Sequence, residues 1–127
     1  SYQCSVPFTQ SYKSIFQILK ILKENKIYSF VSVLKSMGRN NKRLSFGQKG
    51  FTLVFDFPIY PNILDILNKI DLIVLKNKGK VYMTKDSRIT KENFKKINKE
   101  FRNFNFIKLR KKNNFCFRSV QSERLEI

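Results

Sequence analysis

Residues 51–57, Phe-Thr-Leu-Val-Phe-Asp-Phe, form an almost continuous apolar run, interrupted only by Thr52 and Asp56 and closed by Pro58 and Pro61. A run of this length and composition predicts a strand inside a sheet, and the prolines forbid its continuation. Asp56 in such company needs a partner if it is buried. From Asn62 the spacing changes: Ile63, Ile66, Leu67, Ile70 and Val74 fall on one face of an amphipathic helix, with Gly79 placed to end it. A buried strand followed by a helix with a single apolar stripe has to fold as a helix laid on a sheet.

The same grammar governs the rest of the chain. Residues 2–8 alternate as a strand, with Pro7 near its end. Ile15, Ile18, Leu19 and Leu22 then recur at helical spacing behind a candidate N-cap at Thr9 or Ser11. Residues 27–34 are rich in β-branched and aromatic side chains and predict a second strand, which passes through Lys35 and Met37 into a polar loop over 38–43. Gly47 and Gly50 bracket a turn before the central run. After the second helix, Val81 and Met83 alternate with Tyr82 and Thr84 as in a half-buried strand. The last third, 90–127, is helical in character, with Phe94, Ile97 and Phe101 on one face, further apolar residues at Phe104, Ile107 and Leu109, and a basic cluster at 108–112 that suits an exposed helix end. The fold class that follows is α+β: an antiparallel sheet with flanking helices, then a mostly helical C-terminal portion.

At 127 residues and 42% hydrophobic composition the chain supports one domain with a real core. Its first residue is Ser1, and it enters a strand directly, which gives the expectation of a fragment or a processed product. The balance of 26 Lys and Arg against 9 Asp and Glu, a formal charge of +17, points by itself to nucleic acid or an anionic membrane surface. Lysine far outnumbers arginine, however, asparagine and isoleucine are abundant, and alanine and tryptophan are absent, as expected of an A- and T-rich genome. Such bias supplies lysines that have no ligand. Two cysteines, Cys4 and Cys116, and no histidine make a metal site an unsuitable reading and buried free thiols a better one than a disulfide. No apolar run approaches the ~20 residues that span a bilayer.

The chemistry concentrates at 79–88. Lys85, Asp86, Ser87 and Arg88 place two cations, a carboxylate and a hydroxyl at a strand end, where loops on rigid scaffolds carry function. A lysine there, beside Tyr82, suits a phosphate, a developing alkoxide or an electron-accepting ring. The competing reading is a surface ion pair between Lys85 and Asp86 or another carboxylate. Lys35 has a similar profile, ahead of a loop with Arg39, Lys42 and Arg43. Without histidine there is no Ser-His-Asp or Cys-His arrangement, and no glycine-rich phosphate loop is present. A catalytic role is therefore one wall of a site whose cofactor is held elsewhere. A reading from another class, a small basic nucleic-acid-binding protein, rests on the charge and on phenylalanines interleaved with lysines over 101–117.

The series Tyr2-Gln3-x-x-Val6-Pro7, Tyr28-Ser29-Phe30 with Val33 and Lys35, Leu44-Ser45-Phe46, Gly50-Phe51, Asp56-Phe57-Pro58-Ile59 and Tyr82-x-x-Lys85-Asp86-Ser87-Arg88, closing with Phe117-x-Ser119 and Arg124-Leu125, resembles the C-terminal portion of the decaprenylphosphoryl-β-D-ribose 2-oxidase family. That family lies in the vanillyl-alcohol-oxidase-like superfamily of FAD enzymes, related to aldonolactone oxidases. The resemblance implies that 1–79 belong to a substrate-binding domain and 80–127 to a FAD-binding domain whose main part lies upstream. It implies FAD as cofactor and a sugar or polyprenylphosphoryl sugar as substrate. It also implies hydride transfer from the sugar C2, with a partner short-chain reductase completing an epimerisation that supplies a cell-wall polysaccharide precursor. By motif, Gln3, Lys35 and Lys85 line the substrate and flavin pocket, Tyr82 lies beside the flavin, and Lys85 is nearest the reacting centre. Val54 stands where some members carry a reactive cysteine, Thr52 where asparagine is common, and Met37 where an aromatic residue is found beside Lys35. Any covalent flavin attachment lies upstream. Under this reading nucleic acid is not an expected partner, and the location is cytoplasmic or membrane-associated, with peripheral contact to the membrane.

Overall fold

The computed structural model describes residues 1–38, 46–98 and 119–126. Among them four strands form one antiparallel sheet: β1 (Tyr2–Pro7), β2 (Val31–Met37), β3 (Gly50–Asp56) and β4 (Lys80–Val81), in the spatial order β2-β3-β1-β4. Helix α1 (Ser11–Glu24) connects β1 to β2, and α2 (Ile63–Lys76) connects β3 to β4. Each connection returns to a strand parallel to its start with one strand between, so two split βαβ units interlock. This is the ferredoxin-like arrangement. It realises the α+β class expected from the order of elements. Short helices α3 (Lys91–Ile97) and α4 (Val120–Leu125) follow.

Alternation along the strands assigns the faces. Tyr2 opposes Phe55, Cys4 opposes Leu53 and Val81, and Val6 opposes Phe51, so these side chains share one face. That face meets Ile18 and Leu22 of α1 and Ile66, Ile70 and Val74 of α2 in a single core, which also takes in Ile89, Phe94 and Leu125. Full burial of each such aliphatic side chain contributes about 1.5–3 kcal/mol.

Both long helices end in the same way. Lys26 follows α1 with φ 54°, and the amides of Lys26 and Ile27 bond to the carbonyls of Lys23 and Leu22. Lys78 follows α2 with φ 59°, and the amides of Lys78 and Gly79 bond to Leu75 and Val74. These are Schellman motifs, and in each an asparagine one position earlier donates its side-chain amide to the last turn, Asn25 to Ile21 O and Asn77 to Ile73 O, both at 2.8 Å. The left-handed position after α2 therefore belongs to Lys78, not to Gly79. Gly79 is required for a different reason: a Cβ there would lie 2.5 Å from Ser5 O and 2.7 Å from Val74 Cγ1.

Three further expectations shift. The strand expected over 27–34 begins at Val31, because Ile27 is spent closing α1 and is buried as the plug of its last turn. Lys35 consequently lies inside β2 rather than after it. Neither Thr9 nor Ser11 caps α1 through its side chain: a 3-10 turn, Phe8–Gln10, leads directly into the helix, and Ser11 N–H donates to Phe8 O. The fourth strand covers only Lys80–Val81, and Met83–Lys85 coil into a 3-10 turn. Lys85 is thus on a turn and not at the end of a long strand. The polar loop 38–43 beyond Gly38, the basic cluster 108–112, Cys116 and the apolar residues from Phe101 to Leu109 named above lie outside the described residues. Cys4 is a free, fully buried thiol, and burial, followed by the charge of Asp71, pushes its pKa up to about 12.

Candidate active site

The sheet face away from α1 and α2 carries four of the residues singled out in the sequence. Gln3 opposes Val54, Val54 opposes Val33, and Thr52 lies between Ser5 and Lys35. Pairing in register puts Gln3, Thr52, Val54 and Lys35 on one surface because the strand period is two residues. Residues 46–49 cross that surface: Ser5 Oγ donates to Phe46 O at 3.3 Å, and Gln48 Nε2 donates to Ser5 Oγ at 3.2 Å. Thr52 is fully buried and its hydroxyl donates to Met37 Sδ at 2.7 Å, Val54 is buried, and Lys35 is exposed on the outer strand β2.

Tyr82 joins this side of the sheet. Its amide donates to Gln3 O at 2.9 Å, extending the β1–β4 pairing by one residue, and its ring lies 4.7 Å from that of Phe46. At this end of the sheet a cleft of about 200 Å³ opens between the exit of β3, the start of α2 and the turn after β4. Gln3, Tyr82, Lys85, Asp86, Ser87 and Arg88 are among its polar lining, and Phe57, Ile63 and Leu67 are among its apolar lining. The structure therefore brings Gln3, Tyr82 and Lys85 to one cleft, while Lys35, Thr52 and Val54 lie elsewhere on the same sheet and do not line it.

The turn that carries Lys85 is held by two carboxylates, Asp71, which the sequence did not single out, and Asp86, which it paired with Lys85. Asp71, on the buried face of α2, takes a two-pronged hydrogen bond from Arg88, with Nη1 to Oδ2 at 2.6 Å and Nη2 to Oδ1 at 3.0 Å. Tyr2 donates its hydroxyl to the same Oδ1 at 2.8 Å, and Arg88 also reaches Asn68 Oδ1 at 2.9 Å while its guanidinium lies 5.4 Å from the centre of the Tyr2 ring. A bidentate guanidinium–carboxylate pair is among the strongest directional contacts available to side chains. Burial opposes the Arg88 charge, but the hydrogen bonds and charge of Asp71 outweigh it and raise the pKa. The Tyr2 hydroxyl is pushed well above its ordinary value, first by burial.

Asp86 does the matching work on the other flank. Its Oδ1 accepts from the amides of Arg88 at 3.3 Å and Ile89 at 3.1 Å, and its Oδ2 accepts from Arg124 Nη2 at 3.1 Å. The expected surface pair between Lys85 and Asp86 is therefore replaced by Asp86–Arg124, and the Asp86 side chain is 2% exposed. The signal available in the sequence was a pair of acids at positions that packing should reserve for hydrocarbon or for a paired charge; Asp71, one residue after Ile70 on the apolar side of α2, is the clearer case.

This geometry stands beside a direct comparison. No protein-family model matches the chain. Over 94 residues it is 35% identical to decaprenylphosphoryl-beta-D-ribose oxidase of Mycolicibacterium smegmatis, a match that takes in 73% of this chain and 20% of that protein. The chain is similar to this oxidase over that stretch. The resemblance read from the ordered motifs holds, and the chain spans about one fifth of the length of the curated relative it matches. Among the described residues no helix is long and apolar enough to cross a membrane.

Proposed function

We propose that this chain forms one wall of the active site of a FAD-dependent oxidoreductase that oxidises a sugar hydroxyl, at C2 of a polyprenylphosphoryl ribose or a related sugar or aldonolactone, and that it is inactive without the remainder of that site. The observation that carries the reading is the convergence of Gln3, Tyr82 and Lys85 on a single cleft in a chain similar to a decaprenylphosphoryl ribose oxidase. A cation, a carboxamide and an aromatic ring above an apolar floor fit the polar edge and flat face of a flavin. The flavin, when bound, supplies the acceptor for the hydride.

The chain's own residues do the rest. Lys85, exposed at the tip of its turn, presents an ammonium that would stabilise the negative charge of a reduced flavin and polarise the reacting hydroxyl. Gln3, half-buried on an inner strand, offers a donor and an acceptor to orient the sugar. Tyr82, supported by Phe46, would hold the flat face of the flavin. Lys35, Thr52 and Val54 belong in this reading to the sheet surface extending from the cleft, with Thr52 and Val54 shaping it from beneath. Residues 1–79 form the substrate lobe, and the return to the flavin lobe begins at Lys80, whose strand still completes the sheet. A partner short-chain reductase would consume the keto sugar.

Replacing Lys85 by Met in the full-length protein should abolish flavin reduction by a short-chain prenylphosphoryl ribose while leaving the flavin bound, as measured by rapid-mixing absorbance. Near-normal reduction would refute the role.

A further inference from the structure

Lys85 is exposed, yet the backbone on both sides of it is hydrogen-bonded. Its own amide donates to Tyr82 O at 3.1 Å, and that of Asp86 donates to Met83 O at 3.3 Å. These local bonds define a 3-10 turn of three residues, too short to be stable by itself. The contacts that fix it come from α4, some 35 residues later. Gln121 Nε2 donates to Met83 O at 2.8 Å and to Asp86 O at 3.4 Å, and Arg124 Nη2 donates to the Asp86 carboxylate at 3.1 Å and to its carbonyl at 3.5 Å. The residues immediately flanking the Thr84-Lys85 tip are thus gripped by two side chains of one helix.

Stability alone does not account for this grip. Leu125, fully buried in the core, already seats α4. Arg124 Nη1 is buried with no hydrogen-bond partner among the described residues, a cost that a hydrocarbon side chain would avoid. What the polar pair provides beyond packing is a fixed position for the peptide groups around Lys85. We infer that Gln121 and Arg124 are positioning residues for Lys85, so that the C-terminal helix sets where the ammonium meets the cleft. The inference rests on the functional reading above.

The test uses the full-length, flavin-loaded protein and two readouts other than turnover. The first is hydrogen exchange at the amides of residues 85–89. The second is the affinity for sulfite, whose sulfur adds to flavin N5 and bleaches the visible band, and which a nearby cation favours. Lys85→Met should weaken sulfite binding. Arg124→Met should speed exchange across the turn and weaken sulfite binding by about tenfold at unchanged flavin content, with no further loss in the Lys85→Met background. Arg124→Lys should recover part of the affinity. Gln121→Ala leaves the Asp86–Arg124 pair intact, and it should act in the same direction even if Arg124→Met fails to fold. If Lys85→Met weakens sulfite binding but Gln121→Ala and Arg124→Met do not, or if their losses are undiminished in the Lys85→Met background, positioning through Lys85 is overturned. If Lys85→Met itself changes neither sulfite affinity nor flavin reduction, the functional reading fails first.

Discussion

Lys35 and Lys85 have the same profile in the sequence, a cation close behind an apolar strand, and the fold treats them differently. Lys35 lies inside β2, on the outer strand of the sheet, exposed and opposite Thr52. Lys85 stands on a short turn tied to β1 through Tyr82, to α2 through Arg88 and Asp71, and to α4 through Gln121 and Arg124. Both side chains reach solvent, so exposure does not distinguish them. The difference lies in the buried charges around the backbone. Desolvating carboxylates and guanidinium groups is costly, and it persists where geometry satisfies them. A lysine carried on such a frame has a defined place, and one on an outer strand has mainly a defined face.

Breaking the frame gives the largest expected effect. Asp71→Ala should destabilise the protein by about 3–5 kcal/mol, because it strands the Arg88 guanidinium and the Tyr2 hydroxyl in the core, and urea unfolding measures it. Gly79→Ala comes next, at about 1–3 kcal/mol: its Cβ would collide with Ser5 O and force β4, and with it the Lys85 turn, away from β1. Alkaline titration probes the same corner more gently. The Cys4 thiol, pushed up to about 12, and the Tyr2 hydroxyl, also raised, keep their protons in the folded chain when the unfolded chain has lost them. Stability is then complete below about pH 9 and falls as pH rises toward 12, by up to about 1.4 kcal/mol per pH unit for each proton. Urea midpoints across this range check the slope, which Cys4→Ala should reduce. Lys35→Ala, on the unframed side of the comparison, should leave stability within about 0.5 kcal/mol. A loss of several kcal/mol there would mean that β2 is held by more than its pairing with β3.

Much of the fold was legible because its cause is local and repeated. The run at 51–57 with its prolines gave β3 and the start of α2, and the helical spacing of Ile18 and Leu22, with Ile66, Ile70 and Val74, gave the faces that the core uses. The errors sit where neighbours in space override local pattern. Ile27 looks like a strand residue and serves as a helix-end plug. Val81 to Thr84 alternate, but pairing stops early because Met83 O is taken by Gln121 and by the Asp86 amide. The candidate site divided similarly. Gln3, Tyr82 and Lys85 were available from ordered motifs and Asp71 from its place in the apolar stripe of α2, whereas Gln121 and the pairing of Arg124 left no periodic trace.

The sequence by itself determined the alternation of strands and helices and the α+β class, since each is written in residue type and spacing, and its ordered motifs carry the resemblance to a ribose oxidase. Only the tertiary structure decided that β1 lies between β3 and β4, and that Asp86 chooses Arg124 over the adjacent Lys85. It also decided that Tyr2 and Asp71, 69 positions apart, meet beneath the cleft. Apolar periodicity records which face of an element leaves water. The choice of partner for a buried charge depends on which groups the packed elements bring within hydrogen-bonding distance, and no local pattern carries that information.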